Sequence, residues 1–339
     1  MNDPLSRPTR NDVAEKAGVS SATVSRVYNN PDSVSPEKAE KVLSAAETLG
    51  YEPNRQASSL RRRGSGTITL AAFRKKDRPY YWGNQPLLKW MYADVIRSVM
   101  DEVSQSMFHL QIQTIETEGD LESLKQSDGI IGYDVDTEHE AQALSALKKP
   151  YIICHHTEDL GSHPAVRTDN LEGGRIQARW LQGRGVQTPL YITGRIDEVP
   201  ADRKRMEGFI EVYGRKNLLL IDDLSGLEEA RARAAEIRKF IVKNKIDGIG
   251  FVNDMTLLGI MTGDKEVPIP EDIAMAGYDN LPVLPLFNEN PATVDLRLNR
   301  IYRRAVTKLI ADITGGGSTD IQENNNKTEI ILPVLKAPL

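Results

Sequence analysis

Two short helical patterns separated by one sharp turn are the feature of this chain that most restricts its fold. Thr9 can cap the first helix, with an aspartate three residues later as in a capping box. Gly18 suits the left-handed conformation that ends many helices, and Ser20 can cap the helix that follows. On that second helix Val24 and Val27 share one face, which we expect to be buried. The pattern predicts two helices that meet at a tight turn, as in a helix-turn-helix.

A third helix is expected to complete a small all-α domain over residues 1–53. Ser35 can cap it, Pro36 suits its first position, and Gly50 marks its end. Its apolar residues repeat at helical spacing and are expected to face inward: Ala39, Val42, Leu43, Ala46 and Leu49. Three such helices can bury a core together, although each would be marginal in isolation.

The outer face of the second helix is suited to the major groove of DNA. Its side chains are small or able to hydrogen-bond, with a single cation: Ser21, Ala22, Ser25 and Arg26. A recognition helix needs a slim end and a few side chains that reach base edges. We therefore expect DNA binding, although neither Ser21 nor Ala22 can make a bidentate base contact and no operator sequence is predicted.

A basic segment over residues 54–66 is short and helix-permissive, and it runs into a linker. Residues 54–63 hold four arginines and no acidic residue, and a flexible Gly-Ser-Gly sequence follows. A leucine among cations, here Leu60, can enter the minor groove as a wedge while the arginines contact phosphates. The alternative is a solvated linker in which Leu60 packs against the rest of the protein.

Charge and cysteine content limit the class of protein. The net charge is −5, but residues 1–63 hold ten Lys/Arg against eight Asp/Glu, and the remainder holds 33 against 40. Basic charge thus lies where DNA would bind, which argues against non-specific coating of nucleic acid. The single cysteine cannot form an internal disulfide and fits a reducing compartment. With no apolar run of membrane-spanning length and no signal sequence, we expect a cytoplasmic protein of the bacterial nucleoid, with no membrane partner.

From residue 67 onward, predicted strands alternate with predicted helices. Short apolar runs, for example Thr67–Phe73 and 248–252, alternate with helical patterns such as 227–243, and a last strand is expected at 328–334. Such alternation predicts parallel sheets with helices on both faces. The expected fold class is α/β, with an N-terminal all-α helix-turn-helix domain of three helices followed by a larger core.

Residues 9–63 resemble the DNA-binding region of the LacI/GalR family of bacterial repressors. The strings that carry the resemblance are Asp12-Val13-Ala14, Ala17-Gly18-Val19-Ser20, Thr23-Val24-Ser25-Arg26-Val27 and Gly50-Tyr51-Glu52-Pro53-Asn54. The resemblance implies base reading by Ser21, Ala22 and Arg26, phosphate contacts by Ser20, Ser25 and Asn29, and an intercalating leucine at Leu60. The other positions expected to face DNA are Thr9, Asn54, Ala57 and Arg61. It further implies that residues 54–66 form a hinge helix and linker, and that a homodimer reads the two halves of a double-stranded operator.

The core resembles the effector-binding region of the same family, which is similar to the periplasmic sugar-binding fold. The matching stretches are 128–131, 167–170, 203–209, 251–254, 270–280 and 291–294. The resemblance implies a periplasmic-binding-protein-like core over 67–339, made of two parallel-sheet, Rossmann-like lobes that three crossings join. The lobes are expected at about 67–166 with 294–326, and at about 167–293 with 327–339. A small ligand is expected in the cleft between them.

Polar side chains follow several predicted strands of the core, where the loops of parallel sheets converge on a crevice. Asn253, Asp254 and Asp279 each come just after a strand, and Arg205 begins a helix after one. Carboxylates, amides and guanidinium groups bind sugar hydroxyls, which both donate and accept hydrogen bonds. Together with Asp169, we expect Arg205, Asn253 and Asp279 to bind a small carbohydrate effector. The alternative is that such groups cap helices or pair with one another, and we prefer it for Asp254.

The segment after the first core strand departs from the family and is rich in aromatic side chains. Rings stack against the C–H face of pyranoses, so we expect a sugar subsite at Tyr80, Tyr81 or Trp82. A similar stretch in galactose-type repressors favours a galactoside. The competing interpretation concerns Trp90 and Tyr92, which follow on a helix and would be core or dimer residues.

The sequence Cys154-His155-His156 raises the question of a metal or catalytic site. Zinc needs more ligands and a second shell, and a nucleophilic cysteine needs a neighbouring base, neither of which is evident nearby. We expect no catalytic residue, no metal and no cofactor besides the effector.

The expected function is a sequence-specific DNA-binding regulator, a repressor of carbohydrate-utilisation genes, controlled allosterically by a sugar. Two other functions share this core. A sugar-transport binding protein would need an export signal and would lack the helix-turn-helix. A carbohydrate-active enzyme would need paired carboxylates, for which Asp254 and Asp279 are the candidates.

Overall fold

The structure, a computed structural model, describes nine stretches of the chain. They are residues 8–29, 34–51, 64–74, 89–154, 160–224, 226–264, 266–287, 291–315 and 328–337. The chain folds as two compact units, residues 1–65 and residues 66–339. Within the described stretches, no helix is both long enough and apolar enough to cross a membrane.

In the part of the first unit that the structure describes, three helices are present. Their bounds are α1 Arg10–Ala17, α2 Ser21–Asn29 and α3 Pro36–Leu49. Each helix contributes to one small core: Val13, Ala14, Val24, Val27, Val42, Ala45 and Ala46. The prediction for Leu43 is wrong, because its side chain is 50% exposed. The buried stripe of α3 runs through Val42, Ala45 and Ala46, and Leu43 lies one residue, or about 100° of helix, to its side.

The turn residues of the first unit act as the sequence predicts. Thr9 and Asp12 form a reciprocal capping box at the start of α1, in which each side chain accepts from the other residue's backbone N–H. Gly18, with a φ of 64°, ends α1 in the left-handed conformation. Ser20 Oγ accepts from the Thr23 N–H at 3.1 Å and caps α2. These bonds satisfy N–H groups that helix starts would otherwise leave unpaired.

Strands and helices alternate through the second unit. The strands are β1 Thr67–Phe73, β2 His109–Ile115, β3 Gly129–Tyr133, β4 Tyr151–Cys154, β5 Ala165–Thr168, β6 Pro189–Ile192, β7 Leu219–Ile221, β8 Gly248–Phe251, β9 Ala274–Tyr278, β10 Ala292–Asp295, β11 Glu329–Ile331 and β12 Val334–Lys336. The helices are α4 Lys89–Ser104, α5 Glu118–Ser123, α6 Glu138–Ala146, α7 Asn170–Gly183, α8 Pro200–Tyr213, α9 Leu227–Ala232, α10 Ala234–Lys243, α11 Asp254–Thr262 and α12 Leu298–Thr314. Short 3-10 turns lie at Leu124–Gln126, Arg215–Asn217 and Leu284–Leu286. The predicted helix over 227–243 is therefore two helices, which meet at Arg233.

Two six-stranded sheets, one in each lobe, organise these elements. The first has the strand order β11-β5-β4-β3-β1-β2, and the second has the order β12-β10-β9-β8-β6-β7. The described pairings are parallel, except that β10 and β12 are antiparallel. Apolar clusters lie on both faces of each sheet, under helices on both sides, and the cluster around α4 and α12 in the first lobe extends to Tyr278 and Val294 of the second sheet. The predicted α/β class with two parallel-sheet lobes is confirmed.

The described elements require three crossings between the lobes. The chain leaves the first sheet after β5, returns from β10 into α12, which packs on β3, β4 and β5, and crosses again between β11 and β12. The predicted single strand over 328–334 is wrong, because residues 329–331 pair with β5 and residues 334–336 pair with β10. Pro333 separates the two strands, since proline cannot donate a hydrogen bond to a sheet. The last crossing between the lobes thus lies near Pro333, a few residues beyond the lobe boundary that we expect at 326 and 327.

Candidate functional site

Arg205 is the centre of a buried polar cluster in the second lobe. It lies in α8 and is only 2% exposed. Its Nε donates to Asn170 Oδ1 at 3.0 Å, and its Nη1 donates to the Val252 carbonyl oxygen at 2.9 Å. Nη1 also lies 3.7 Å from Asp279 Oδ1, and the guanidinium carbon lies 3.9 Å from the centroid of the Tyr278 ring. Arg205 therefore joins the start of α7 to the ends of β8 and β9.

These contacts bring the four described effector candidates into one neighbourhood. Asp169 and Asn253 are the immediate chain neighbours of the two residues to which Arg205 donates, and Asp279 is its ion-pair partner. The four candidates come from loops far apart in the sequence, and the parallel order of the strands collects them. Their contact with an effector remains a prediction.

Asp169 and Asn253 also serve as helix caps. Asp169 Oδ1 accepts from the Glu172 N–H at 2.9 Å at the start of α7. Asn253 Oδ1 accepts from the Thr256 N–H at 2.8 Å at the start of α11. Helix capping was the alternative for such residues, and both of them adopt it. One oxygen of each side chain is thus engaged before any ligand is considered.

Arg205 and Asp279 each keep one buried polar atom without a hydrogen-bond partner among the described residues. The two atoms are Arg205 Nη2 and Asp279 Oδ1. Leaving a buried donor or acceptor unsatisfied costs roughly 1–3 kcal/mol, and more when the group is charged. One atom is a donor and the other an acceptor, which is the combination that a hydroxyl group can satisfy. This pair is therefore the part of the cluster best suited to a polyhydroxylated ligand.

Burial makes the Asp279 carboxyl change its protonation near neutral pH. Burial raises its pKa to about 7, although Arg205 opposes the rise, and Asp202 adds to it. Burial likewise raises the pKa of Asp202 to about 6, again opposed by Arg205. At neutral pH both forms of Asp279 are populated, so its carboxyl can either accept a hydrogen bond or donate one.

Asp254 differs from Asp279 because its oxygens are already engaged. It is fully buried at the start of α11, where the Leu281 N–H and the Thr293 hydroxyl each donate to it at 2.8 Å. Burial raises the pKa of Asp254 well above its ordinary range, and the nearby Asp279 carboxyl raises it further. These contacts favour the structural role that we preferred for Asp254.

Three buried residues of the cluster are not predicted from the sequence: Asn170, Asp202 and Tyr278. Glycines inside the helices are the sequence feature that could have indicated this cluster. A Cβ at Gly174 would lie 2.0 Å from the Arg205 carbonyl oxygen, and a Cβ at Gly208 would lie 2.0 Å from that of Leu171. These glycines let the backbones of α7 and α8 come into contact, which places Arg205 beside the start of α7.

The outer face of α2 carries the predicted base-reading residues. Ala22 and Arg26 are exposed. Ser21 is half-buried, and its hydroxyl accepts from Arg10 Nε on α1 at 2.6 Å. This face therefore presents an exposed arginine beside small side chains, as a groove-binding helix requires.

Four further DNA-contact candidates lie in the first unit: Thr9, Ser20, Ser25 and Asn29. The Thr9 and Ser20 side chains already accept from backbone N–H groups as helix caps. Ser25 is half-buried on α2, and Asn29 is the last residue of that helix. Their contacts with phosphates remain predictions.

Several candidates lie outside the described residues: Asn54, Ala57, Leu60, Arg61, Tyr80, Tyr81 and Trp82. Trp90 and Tyr92, on α4, are described; both pack against the core of the first lobe, and Trp90 also packs against that of the second. The Tyr92 ring meets the Tyr133 ring edge to face, with centroids 5.7 Å apart. Core packing, one of the interpretations weighed for this pair, accounts for their position.

The thiol of Cys154 is buried in β4, and burial raises its pKa. Such a thiol is a poor nucleophile, because the thiolate is the reactive form. His155 and His156 lie outside the described residues. In the stretches that the structure describes, no three His, Cys, Asp or Glu side chains are grouped so as to hold a metal ion.

Comparisons with known proteins cover both units. Residues 9–54 match a family described as bacterial regulatory proteins, lacI family, and residues 178–332 match a periplasmic binding protein-like domain. The sucrose operon repressor of Streptococcus mutans serotype c is 30% identical over 276 residues, which are 79% of this chain and 81% of that protein.

Two solved structures share the fold. A complex of the transcriptional regulator CelR with cellobiose has a TM-score of 0.64 at 23% identity, covering 98% of this chain and 99% of that chain. The Lac repressor dimer bound to operator and the anti-inducer ONPF has a TM-score of 0.70 at 20% identity, covering 98% of each chain.

Proposed function

This chain belongs to the LacI family of bacterial regulatory proteins and is a DNA-binding transcriptional regulator, and on that premise we propose that it is a repressor controlled by a small sugar. The sugar binds in the second unit, beside Arg205 and Asp279. Its binding changes how firmly the first unit holds a double-stranded operator. A ligand can have this effect only if it binds two states of the protein unequally, usually by about 1–3 kcal/mol.

One observation carries the sugar proposal. The buried pair of Arg205 and Asp279 leaves one donor and one acceptor without a partner among the described residues. Two similar proteins support the same class of ligand. The relative from Streptococcus mutans is a sucrose operon repressor, and CelR was solved with cellobiose. We extend the class of ligand to this chain, and not the compound. The galactoside expectation rests on residues outside the described ones and stays a prediction.

We further propose that the chain binds its operator as a homodimer, with α2 of each copy reading one half. The exposed positions of Ala22 and Arg26 on α2 support this reading. The Lac repressor, which shares the fold, was solved as a dimer on its operator. A regulator of this kind works in the bacterial cytoplasm, on the nucleoid.

We propose binding without turnover. Glycoside hydrolysis by two carboxyl groups needs both of them available, one as acid and the other as nucleophile or base. Asp254 already accepts hydrogen bonds from Leu281 and Thr293, whereas Asp279 Oδ1 has no hydrogen-bond partner among the described residues. The pair that an enzyme would need is therefore reduced to one carboxyl. The proposal requires no cofactor besides the sugar.

A thermal-shift screen of the full chain against sucrose, cellobiose, galactose and ribose tests the effector site. A sugar at 100 times its Kd should raise the free energy of unfolding by about 2.7 kcal/mol. Asp279→Ala should remove the shift. Absence of a shift with any sugar, or a normal shift in the variant, would count against this site.

An electrophoretic mobility assay with fragments from upstream of the gene itself, with and without that sugar, tests the regulatory output. We expect retardation at low ionic strength and a change in affinity on adding the sugar. If no fragment is retarded under either condition, the operator proposal fails.

A further inference from the structure

Asp254 and Thr293 form a buried clasp behind the loop that carries Asp279. The Thr293 hydroxyl lies 2.9 and 2.8 Å from the two oxygens of Asp254 and donates to them. The same hydroxyl oxygen accepts from the Asn280 N–H at 3.0 Å, and the Leu281 N–H donates to Asp254 Oδ2 at 2.8 Å. Both clasp residues are buried, so these bonds form away from water.

The loop held by the clasp has a backbone that needs support. Asp279 and Asn280 have φ angles of 106° and 57°, in the region that residues other than glycine rarely adopt. Such conformations persist only where surrounding contacts enforce them. Here three successive N–H groups are held: that of Asp279 by the Val294 carbonyl oxygen at 2.8 Å, and the next two by the clasp.

Close packing leaves the clasp little freedom. Asp254 lies against the backbone of β9, because a Cβ at Gly277 would come within 1.9 Å of Asp254 Oδ1. The Asp254 carboxyl is thus fixed on one side by the strand and on the other by Thr293. A rigid acceptor in this place fixes the loop directly after the strand.

We propose that Asp254 and Thr293 are positioning residues for effector binding, which hold residues 279–281 so that the Asp279 carboxyl faces Arg205. The inference rests on the proposed function, because it concerns the same sugar site. Neither clasp residue is a sugar contact. Their polar atoms are engaged with each other and with the loop, and their effect reaches the ligand only through Asp279.

The Thr293 hydroxyl has to accept and donate at the same time. Valine has the same shape as threonine but can do neither, whereas serine keeps the hydroxyl and can do both. Thr293→Val and Thr293→Ser are therefore matched variants. A role that depends only on packing would be lost more readily in the serine variant, and a role that depends on the hydroxyl would be lost in the valine variant.

Hydrogen exchange of the full chain, followed by mass spectrometry, tests the clasp without a ligand. In Thr293→Val the amides of residues 279–281 should exchange about tenfold faster than in the wild type, the order expected when a hydrogen bond is removed. In Thr293→Ser they should stay within about threefold, and β1 should be unchanged in both variants. Equal protection of the loop in the valine variant and the wild type would overturn the proposal.

Global unfolding would look different, since exchange would then rise throughout the second unit. In that case Asp254→Asn repeats the test. Asparagine keeps the shape of the aspartate side chain, but its NH2 group replaces one of the two oxygens that accept from Thr293 and Leu281. Faster exchange confined to 279–281 supports the clasp. Protection equal to the wild type overturns it.

Calorimetric titration links the clasp to the effector. The probe is whichever of sucrose, cellobiose, galactose and ribose gives the wild type the largest thermal shift. Thr293→Val should bind it about tenfold more weakly, Thr293→Ser within about threefold, and operator affinity without sugar should be the same in all three proteins. A loosened loop with unchanged sugar affinity would also overturn the positioning role. Normal sugar binding by Asp279→Ala would instead refute the proposed function, while the exchange result still decides the clasp.

Discussion

Asp279 allows a test of the site that needs no ligand, because its ionisation is linked to the free energy of unfolding. Asp279→Asn keeps the shape of the neutral carboxyl and removes its titration. The pKa of Asp279 is about 7 in the folded protein, against an ordinary value of 3.8. The folded protein therefore binds this proton more tightly than the unfolded chain does. The resulting stabilisation is complete below pH 3.8 and is lost as the pH rises through 7.

The size of the effect follows from the shift in pKa. A shift of about three units at 1.36 kcal/mol per unit corresponds to roughly 4 kcal/mol. Between pH 5 and pH 8 we expect the wild type to lose about 2.5 kcal/mol of unfolding free energy relative to Asp279→Asn. Asp202, with a pKa of about 6, titrates in the same range but is present in both proteins, so its contribution largely cancels.

Urea unfolding at pH 5, 6, 7 and 8, followed by tryptophan fluorescence, measures this difference. The three tryptophans are residues 82, 90 and 180, so the signal reports on the second unit. Asp94→Asn, at an exposed aspartate of α4, is the matched control. Its free energy of unfolding should change with pH in the same way as that of the wild type. If the free energy of unfolding of Asp279→Asn also changed with pH as the wild type's does between pH 5 and pH 8, the argument from burial of Asp279 would be refuted.

Three further outcomes follow from the described contacts. Arg26→Ala should weaken operator binding by about 1–3 kcal/mol in fluorescence anisotropy at fixed salt, without lowering Tm, since the side chain is exposed; a large loss of stability would contradict its surface role. Gly208→Ala should destabilise the second unit by about 1–3 kcal/mol or more, because the new Cβ would meet the Leu171 carbonyl oxygen. Gly183→Ala, with open space at its Cβ, is the control in the same urea experiment and should be close to neutral. Cys154 should react with Ellman's reagent only as the unit unfolds, and rapid labelling of the native protein would contradict its burial.

Local features of the fold can be predicted because neighbours in the chain determine them. The capping box of Thr9 and Asp12 and the left-handed turn at Gly18 need only a few adjacent residues, and the structure shows both. Leu43 could not be placed in this way. Apolar spacing defines a stripe along a helix, but only the packed partners decide how wide a stripe they cover. Pro333 argues against one continuous final strand, because proline interrupts sheet hydrogen bonding.

The site depends on contacts that the sequence does not state. In an α/β fold, the residue after a strand is often also the residue before a helix, so one position can cap the helix or meet a ligand. Asp169 and Asn253 illustrate the ambiguity, since both lie beside the cluster and both cap helices. The ion pair of Arg205 and Asp279 depends on how the two helices and strand ends are packed, which glycines inside α7 and α8 permit.

Asp254 and Asp279 show what separates a structural carboxyl from a candidate ligand contact. Both follow strands, both are buried, and burial raises the pKa of both. They differ in how completely their oxygens are hydrogen-bonded, and Thr293 is responsible for much of that difference because it donates to Asp254. Without the Thr293 hydroxyl, Asp254 would lose a donor and the Asn280 N–H would lose its acceptor. We infer that the position of Asp279 therefore depends on Thr293, which lies in a stretch that resembles the family but that the sequence does not mark as part of the site.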